Sequence, residues 1–127
     1  FHGYTYSGIP IAVAAALAVQ DIFEKEDIFK RSKEMSPYFL DGIFSLKDLG
    51  AVDNIRGYGM MAGIDIKLKE KPGKAGYECF KACYDAGVNF KATGDCLIIA
   101  PQFICEKKHI DEIIEKLRTG ISNYMKK

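Results

Sequence analysis

Two stretches of strand-type sequence constrain the fold of this chain more than any other feature. In VDNIRGYGMMAGIDIKL (52–68), the apolar residues Ile64, Ile66 and Leu68 alternate with charged residues, and the glycines of GYG (57–59) mark a bend. This pattern predicts two strands joined by a tight turn. Because two strands alone are marginal in water, further strands or covering helices must complete the structure.

The second stretch, VNFKATGDCLIIAPQFI (88–104), supplies two more strands around a turn at 93–95. A helical pattern from Gly76 to Ala86 lies between the two stretches, and Gly87 ends it. A last helix follows, with Ile110, Ile113, Ile114, Leu117, Ile121 and Tyr124 on one face. We expect a weak start for it, because Cys105 is a poor cap and two lysines oppose the helix dipole, although Glu106 helps.

Two helices are predicted before the first strand. The run IAVAAALAVQDIFEKE (11–26) after Pro10 is apolar almost all round, which predicts a helix buried against several neighbours. An amphipathic helix then runs from Ile28 to about Leu49, and Pro37 either kinks it or restarts it with Ser36 as cap. The order α-α-β-β-α-β-β-α describes a small α+β domain whose helices cover one face of a mostly antiparallel sheet.

Composition excludes several classes of function. The 127 residues fit one domain, and a net charge of +1 leaves no electrostatic footprint for nucleic acid or an anionic membrane. The apolar run at 9–19 is too short to span a bilayer. Four cysteines lack metal-ligand spacing and are expected to be free thiols, which suits a reducing, cytoplasmic location.

The loop HGYTYSG (2–8) is the first candidate site. Hydroxyls such as that of Thr5, with backbone N–H groups freed by the two glycines, can hold phosphate oxygens beside the N-terminus of a helix. The alternative is a plain loop that leads into the helix. His2 in this loop is predicted to make local hydrogen bonds, and His109 to lie on the surface, since neither has partners at the spacing of a catalytic triad or metal site.

Lys91 is the second candidate, because it precedes the 93–95 turn and is expected to project from a sheet edge, where a cation can hold a carboxylate. The alternative is a solvated lysine at a strand end. Arg56 is predicted to have a structural role, pairing with an acid such as Asp65 or capping carbonyl groups.

Three motifs occur in one order along the chain: HGYTYSGIPIAVAAALAVQDIFEKE (2–26), NIRGYGMMAGIDI (54–66), and FKATGDCLIIAPQFI (90–104) followed by the HIDEIIEKL helix (109–117). Together they resemble the C-terminal third of class III pyridoxal-phosphate-dependent aminotransferases, especially the omega-amino-acid:pyruvate branch. The resemblance covers essentially the whole chain.

The resemblance implies a fold type I enzyme that works as a homodimer with both active sites at the subunit interface. It implies that Thr5 bonds the phosphate of the partner subunit's pyridoxal 5'-phosphate, and that Lys91 stands where relatives that bind a substrate carboxylate often carry arginine. Residues 1–9 would be a loop at the interface with the large domain and the second subunit, and 10–127 the C-terminal small domain with its leading helices. The family usually has His or Asn at the position of Ile9.

The same resemblance implies transamination, in which an amino group passes from an omega-amino acid or amine through the cofactor to a keto acid such as pyruvate. The lysine that carries the cofactor lies upstream in such proteins, so no residue here is assigned a catalytic role. We expect a fragment that lacks the N-terminal large domain and is inactive alone. Two alternatives stay open: a non-catalytic α+β ligand-binding or interaction module, and a related class III aminomutase or decarboxylase.

Overall fold

The computed structural model describes residues 3–67 and 71–126 of the chain. Its helices are α1 (Pro10–Lys25), α2 (Ile28–Phe44), α3 (Lys74–Asp85) and α4 (Lys107–Met125), with a 3-10 turn at Ser45–Asp48 after α2. Its strands are β1 (Val52–Tyr58), β2 (Met61–Ile66), β3 (Lys91–Thr93) and β4 (Cys96–Ile99). The strands form one sheet in the order β1-β2-β4-β3, and every neighbouring pair is antiparallel. The predicted α+β class is therefore confirmed.

The core lies between one face of this sheet and helices α2, α3 and α4. Period-two alternation turns Ile64 of β2 and Leu97 of β4 into it, and both are fully buried. Phe39 of α2, Cys79 of α3 and Leu117 of α4 close it from the helical side. No helix covers the opposite face of the sheet among the described residues, so that face is open.

Helix α1 corrects one prediction. The sequence predicted a helix buried against several neighbours, but none of its residues is buried, and Ile11 is 80% exposed. Only its C-terminal end is held, where Phe23 packs edge-on against Phe29 (ring centroids 5.2 Å apart) and Phe103 (6.2 Å). The core is formed by the sheet and the other helices, and no residue of α1 belongs to it among the described residues.

Of the two alternatives predicted at Pro37 of α2, the structure excludes the restart, and the start of α4 differs from the prediction. Helix α2 passes through Pro37 without restarting, and the Ser36 hydroxyl donates to the Gly59 carbonyl (3.1 Å) instead of capping. Helix α4 starts more firmly than expected. Glu106 is its N-cap in a reciprocal capping box, and the Glu106 backbone N–H donates to Nδ1 of His109 at 3.0 Å.

Among the described residues, no helix is long and apolar enough to cross a membrane.

Candidate functional site

Thr5 lies in an exposed turn that leads into α1. The Ser7 N–H donates to the Tyr4 carbonyl at 3.0 Å, and Gly8 takes a positive φ of 73° that a side chain would disfavour. The side chain of Thr5 is exposed, and Ile9, the N-cap residue of α1, makes no side-chain cap hydrogen bond. The turn therefore presents a hydroxyl beside a helix N-terminus whose N–H groups favour an anion. His2, at the start of this motif, lies outside the described residues.

The open face of the sheet carries a row of four cross-strand neighbours. Arg56 pairs with Gly63, Gly63 with Ile98, and Ile98 with Lys91. Directly opposite residues of antiparallel strands share a face, so the two cations stand at the two ends of one row. Three strand spacings separate their backbones, about 14 Å.

Arg56 is engaged by its neighbours. Its guanidinium forms an ion pair with Asp65 and donates to Sγ of Cys96 at 3.3 Å. The hydrogen bond from Arg56 holds the pKa of the Asp65 carboxyl below its usual range. The pKa of the Cys96 thiol is raised, mainly by burial and to a smaller extent by the neighbouring Asp65 carboxylate. The predicted Arg56–Asp65 pair is confirmed, and the guanidinium of Arg56 is thus already paired with a carboxylate of the same chain.

Lys91 is exposed at the start of β3, one of the two edge strands of the sheet. It makes no ion pair within the described part of the chain, in contrast to Arg56. The structure thus places Lys91 at a sheet edge, as the sequence predicted.

A groove of about 580 Å³ runs along the open face next to this row. Its lining is mostly apolar: Arg56, Gly57, Tyr58, Met61, Ala62, Gly63, Cys96 and Ile98. Gly63 deepens it, because a Cβ there would come within 3.2 Å of Sγ of Cys96. A groove of this kind suits the apolar part of a small molecule. Lys91 is not among its lining residues, but its cross-strand neighbour Ile98 is.

Asp95, in the turn between β3 and β4, was missed as a functional candidate. Its carboxylate accepts hydrogen bonds from the backbone N–H groups of Gly73 (2.7 Å) and Gly76 (3.0 Å), at the start of α3. These bonds hold the pKa of the Asp95 carboxyl below its usual range. One signal was available in the sequence: Gly73 precedes α3 and has no capping side chain, so another residue must satisfy those N–H groups.

The arrangement is suited to binding. The described residues contain no metal-binding cluster. All four cysteines are free; Cys79 and Cys83 are buried, and the other two are half-buried. Thr5 and Lys91 lie in different parts of the fold. Among the described residues, they neither share a hydrogen bond nor line the groove together.

Comparison with known proteins relates this whole arrangement to one family. The family described as Aminotransferase class-III matches residues 1–121. An omega-aminotransferase from Caulobacter vibrioides is 38% identical over 119 residues, which are 93% of this chain and 27% of that protein. A putrescine–pyruvate aminotransferase from Pseudomonas aeruginosa is 34% identical over 125 residues, with the same two shares.

Solved structures agree with the sequence comparison. An adenosylmethionine-8-amino-7-oxononanoate aminotransferase from Methanocaldococcus jannaschii shares the fold with a TM-score of 0.85 and 30% identity, over 97% of this chain and 30% of its own. A thermostable omega transaminase mutant from Pseudomonas jessenii gives a TM-score of 0.88 at 25% identity, over 97% and 29% of the two chains. This chain therefore spans less than a third of the proteins it matches.

Proposed function

Because the chain belongs to the class III aminotransferases, we propose that it is the C-terminal part of a pyridoxal-phosphate-dependent transaminase. The proposed reaction moves an amino group from an omega-amino acid or amine to a keto acid such as pyruvate. The observation that carries this proposal is the family match over nearly the whole chain, supported by relatives named omega-aminotransferase and putrescine–pyruvate aminotransferase.

We propose that Thr5 donates a hydrogen bond to the phosphate of pyridoxal 5'-phosphate bound in a second subunit. The exposed hydroxyl, the following positive-φ glycine and the nearby start of α1, whose N-cap residue is the apolar Ile9, fit one side of a phosphate group. When bound, this cofactor supplies an electron sink for the amino-acid chemistry. This chain contributes the grip on its phosphate, and the lysine that bears the cofactor belongs to the part of the enzyme outside this sequence.

We propose that Lys91 binds the carboxylate of the substrate. Asp65 neutralises the guanidinium of Arg56, the other cation of the row, while the Lys91 ammonium faces solvent without an ion pair among the described residues. An ammonium acts as a point charge and lacks the planar two-point grip of arginine, so it tolerates carboxylates in more than one orientation. The apolar groove beside Ile98 then receives the rest of the substrate.

We propose that the rest of the enzyme, of which this chain spans 27% in its relatives, supplies the partner surfaces. Residues 1–9 would lie at the interface with the large domain and the second subunit of a homodimer, and 10–127 would form the small domain. The exposed apolar side chains of α1, among them Ile11, Val13 and Leu17, support a cover for this helix that the chain itself does not provide. Free cysteines support a cytoplasmic location.

The substrate part of the proposal is tested in the full-length enzyme with two amino donors. β-Alanine carries a carboxylate and putrescine does not, so each KM is measured for wild type and Lys91→Ala at saturating pyruvate. Loss of a charged hydrogen bond worth roughly 1.5 to 3 kcal/mol predicts a KM for β-alanine about 10- to 150-fold higher, with the KM for putrescine unchanged. An equal change for both donors would refute carboxylate binding by Lys91, and absence of alanine formation by the wild type would refute the transaminase.

The cofactor part is tested with Thr5→Ala in the same enzyme. Loss of one hydrogen bond to a charged phosphate predicts a dissociation constant for pyridoxal phosphate about 10- to 100-fold higher, measured by equilibrium dialysis. Ser7→Ala, in the same turn, is the matched control and should change it by less. Unchanged retention in Thr5→Ala would remove Thr5 from the phosphate site.

A further inference from the structure

Asp95 joins three segments of the chain at one point. Its carboxylate accepts hydrogen bonds from the N–H groups of Gly73 and Gly76, and its backbone carbonyl accepts from the N–H of Ile66 at 2.9 Å. The turn between β3 and β4 is thereby tied both to the N-terminus of α3 and to the end of β2.

Helix α3 depends on this distant carboxylate. Its N-cap, Gly73, has no side chain to accept from the first N–H groups of the helix, and no acidic residue lies in the first turn. A carboxylate that accepts two of these N–H bonds also sits at the positive end of the helix dipole. Asp95 therefore takes the place of a local capping residue, although it lies 19 residues after Gly76 in the chain.

Close packing of Gly76 in α3 against the turn between β3 and β4 also holds the turn in place. A Cβ on Gly76 would lie 2.3 Å from the carbonyl oxygen of Gly94 and 2.7 Å from Cα of Asp95. Both are backbone atoms that cannot rotate away. The turn is consequently pressed against the first turn of α3 with no space between them.

The short hairpin transmits this position to Lys91. Strand β3 has three residues, pairs with β4 alone, and lies at the edge of the sheet. Lys91 is two residues from Thr93, about 7 Å along the strand. If the hairpin tilts about its turn, Lys91 is therefore displaced in proportion to this distance.

We propose that Asp95 is a positioning residue for substrate recognition, which holds Lys91 at the height and angle that a substrate carboxylate requires. The inference depends on the proposed carboxylate role of Lys91. Asp95 does not touch the substrate itself; it acts through the β3–β4 hairpin.

The experiment compares donors again in the full-length enzyme, now with Asp95→Ala, Asp95→Asn and Gly76→Ala. Misplacing a binding group by a fraction of an ångström to 1 Å predicts a KM for β-alanine about tenfold higher in Asp95→Ala, with kcat and the KM for putrescine within about twofold of wild type. Asp95→Asn keeps one acceptor oxygen and should give a smaller rise. Gly76→Ala keeps the carboxylate but displaces the turn, so it should reproduce the donor selectivity.

Two controls separate positioning from stability. Glu106→Ala removes the cap of α4, a helix that neither contains Lys91 nor contacts Asp95 through a hydrogen bond named above, and should lower the melting temperature while leaving both KM values unchanged. In a Lys91→Ala background, Asp95→Ala should raise the KM for β-alanine by less than about twofold further, since both changes act on one contact.

The outcomes distinguish this inference from the one it rests on. If Lys91→Ala raises the KM for β-alanine but Asp95→Ala and Gly76→Ala leave it unchanged, or raise the KM of both donors equally, the positioning role is refuted and that of Lys91 stands. If Lys91→Ala itself has no effect, both roles are refuted. Should Asp95→Ala fail to fold, Asp95→Asn and Gly76→Ala decide the question in the same assay.

Discussion

Gly120 marks the closest approach of helices α3 and α4. A Cβ at this position would lie 2.5 Å from Cα and 2.8 Å from the backbone N of Cys83, and 2.6 Å from its Sγ. Backbone atoms of a packed helix cannot move without separating the two helices. Gly120→Ala therefore tests whether the helices pack as tightly as the structure describes.

Gly42 in α2 provides the matched control. A Cβ there would meet only the side chain of Ile114, at 2.9 and 3.2 Å, and a flexible side chain can give way. Both substitutions gain up to about 1 kcal/mol of helix propensity. Overpacking costs typically 1 to 3 kcal/mol or more, and the backbone clash puts Gly120→Ala at the upper end. We predict a net loss of about 2 kcal/mol for Gly120→Ala and a change within about 1 kcal/mol for Gly42→Ala.

Urea unfolding of the full-length enzyme and its two variants measures the difference. The urea midpoint of the unfolding transition that reports on this domain should be lower for Gly120→Ala and near that of the wild type for Gly42→Ala. The slope of the free energy of unfolding against urea concentration should be the same in all three proteins. Equal stability of the two variants would show that α3 and α4 do not approach as closely at Gly120, and would refute the reasoning.

Two other predictions concern charge and the exposed helix. The carboxyl groups of Asp65 and Asp95 have lowered pKa values, so their contribution to stability is present above the ordinary pKa near 4 and is lost as pH falls through the lower folded pKa. At pH values below about 4, the urea midpoint of unfolding should therefore decrease. The decrease should be less steep in an Asp65→Asn, Asp95→Asn double variant, and identical pH profiles for the wild type and this variant would contradict the prediction. Leu17→Asp on α1 should destabilise the full-length enzyme by about 2 kcal/mol or more if the proposed cover buries Leu17 there. The same change should leave this chain alone unchanged, since Leu17 is 63% exposed in it. Equal effects in both would contradict the proposed cover.

The sheet and its helices were predictable because their signals are local. Alternation in 52–68 and the glycines at the bends located β1 and β2, and the Arg56–Asp65 pair followed from two polar residues on neighbouring strands. The burial of α1 was predicted wrongly for this chain: apolar composition indicates that a helix is covered but not whether the cover lies in the same sequence.

The role of Asp95 was harder to predict because the contact is distant in sequence. A cap contributed by a turn 19 residues beyond Gly76 leaves no local pattern, and its only trace is a helix start without a capping side chain. The capping box of Glu106 and His109 was missed for a different reason, since histidine at the third helical position is an unusual partner for an acidic N-cap.

Binding of pyridoxal phosphate by the full-length enzyme and by this chain alone tests the central claim most directly. Both proteins are incubated with the cofactor, dialysed, and examined by absorbance and by mass after borohydride reduction. We predict about one cofactor per full-length chain and none on this chain alone, because we propose that the lysine that bears it lies outside this sequence. Stoichiometric attachment to this chain, or no attachment to the full-length protein, would contradict the account.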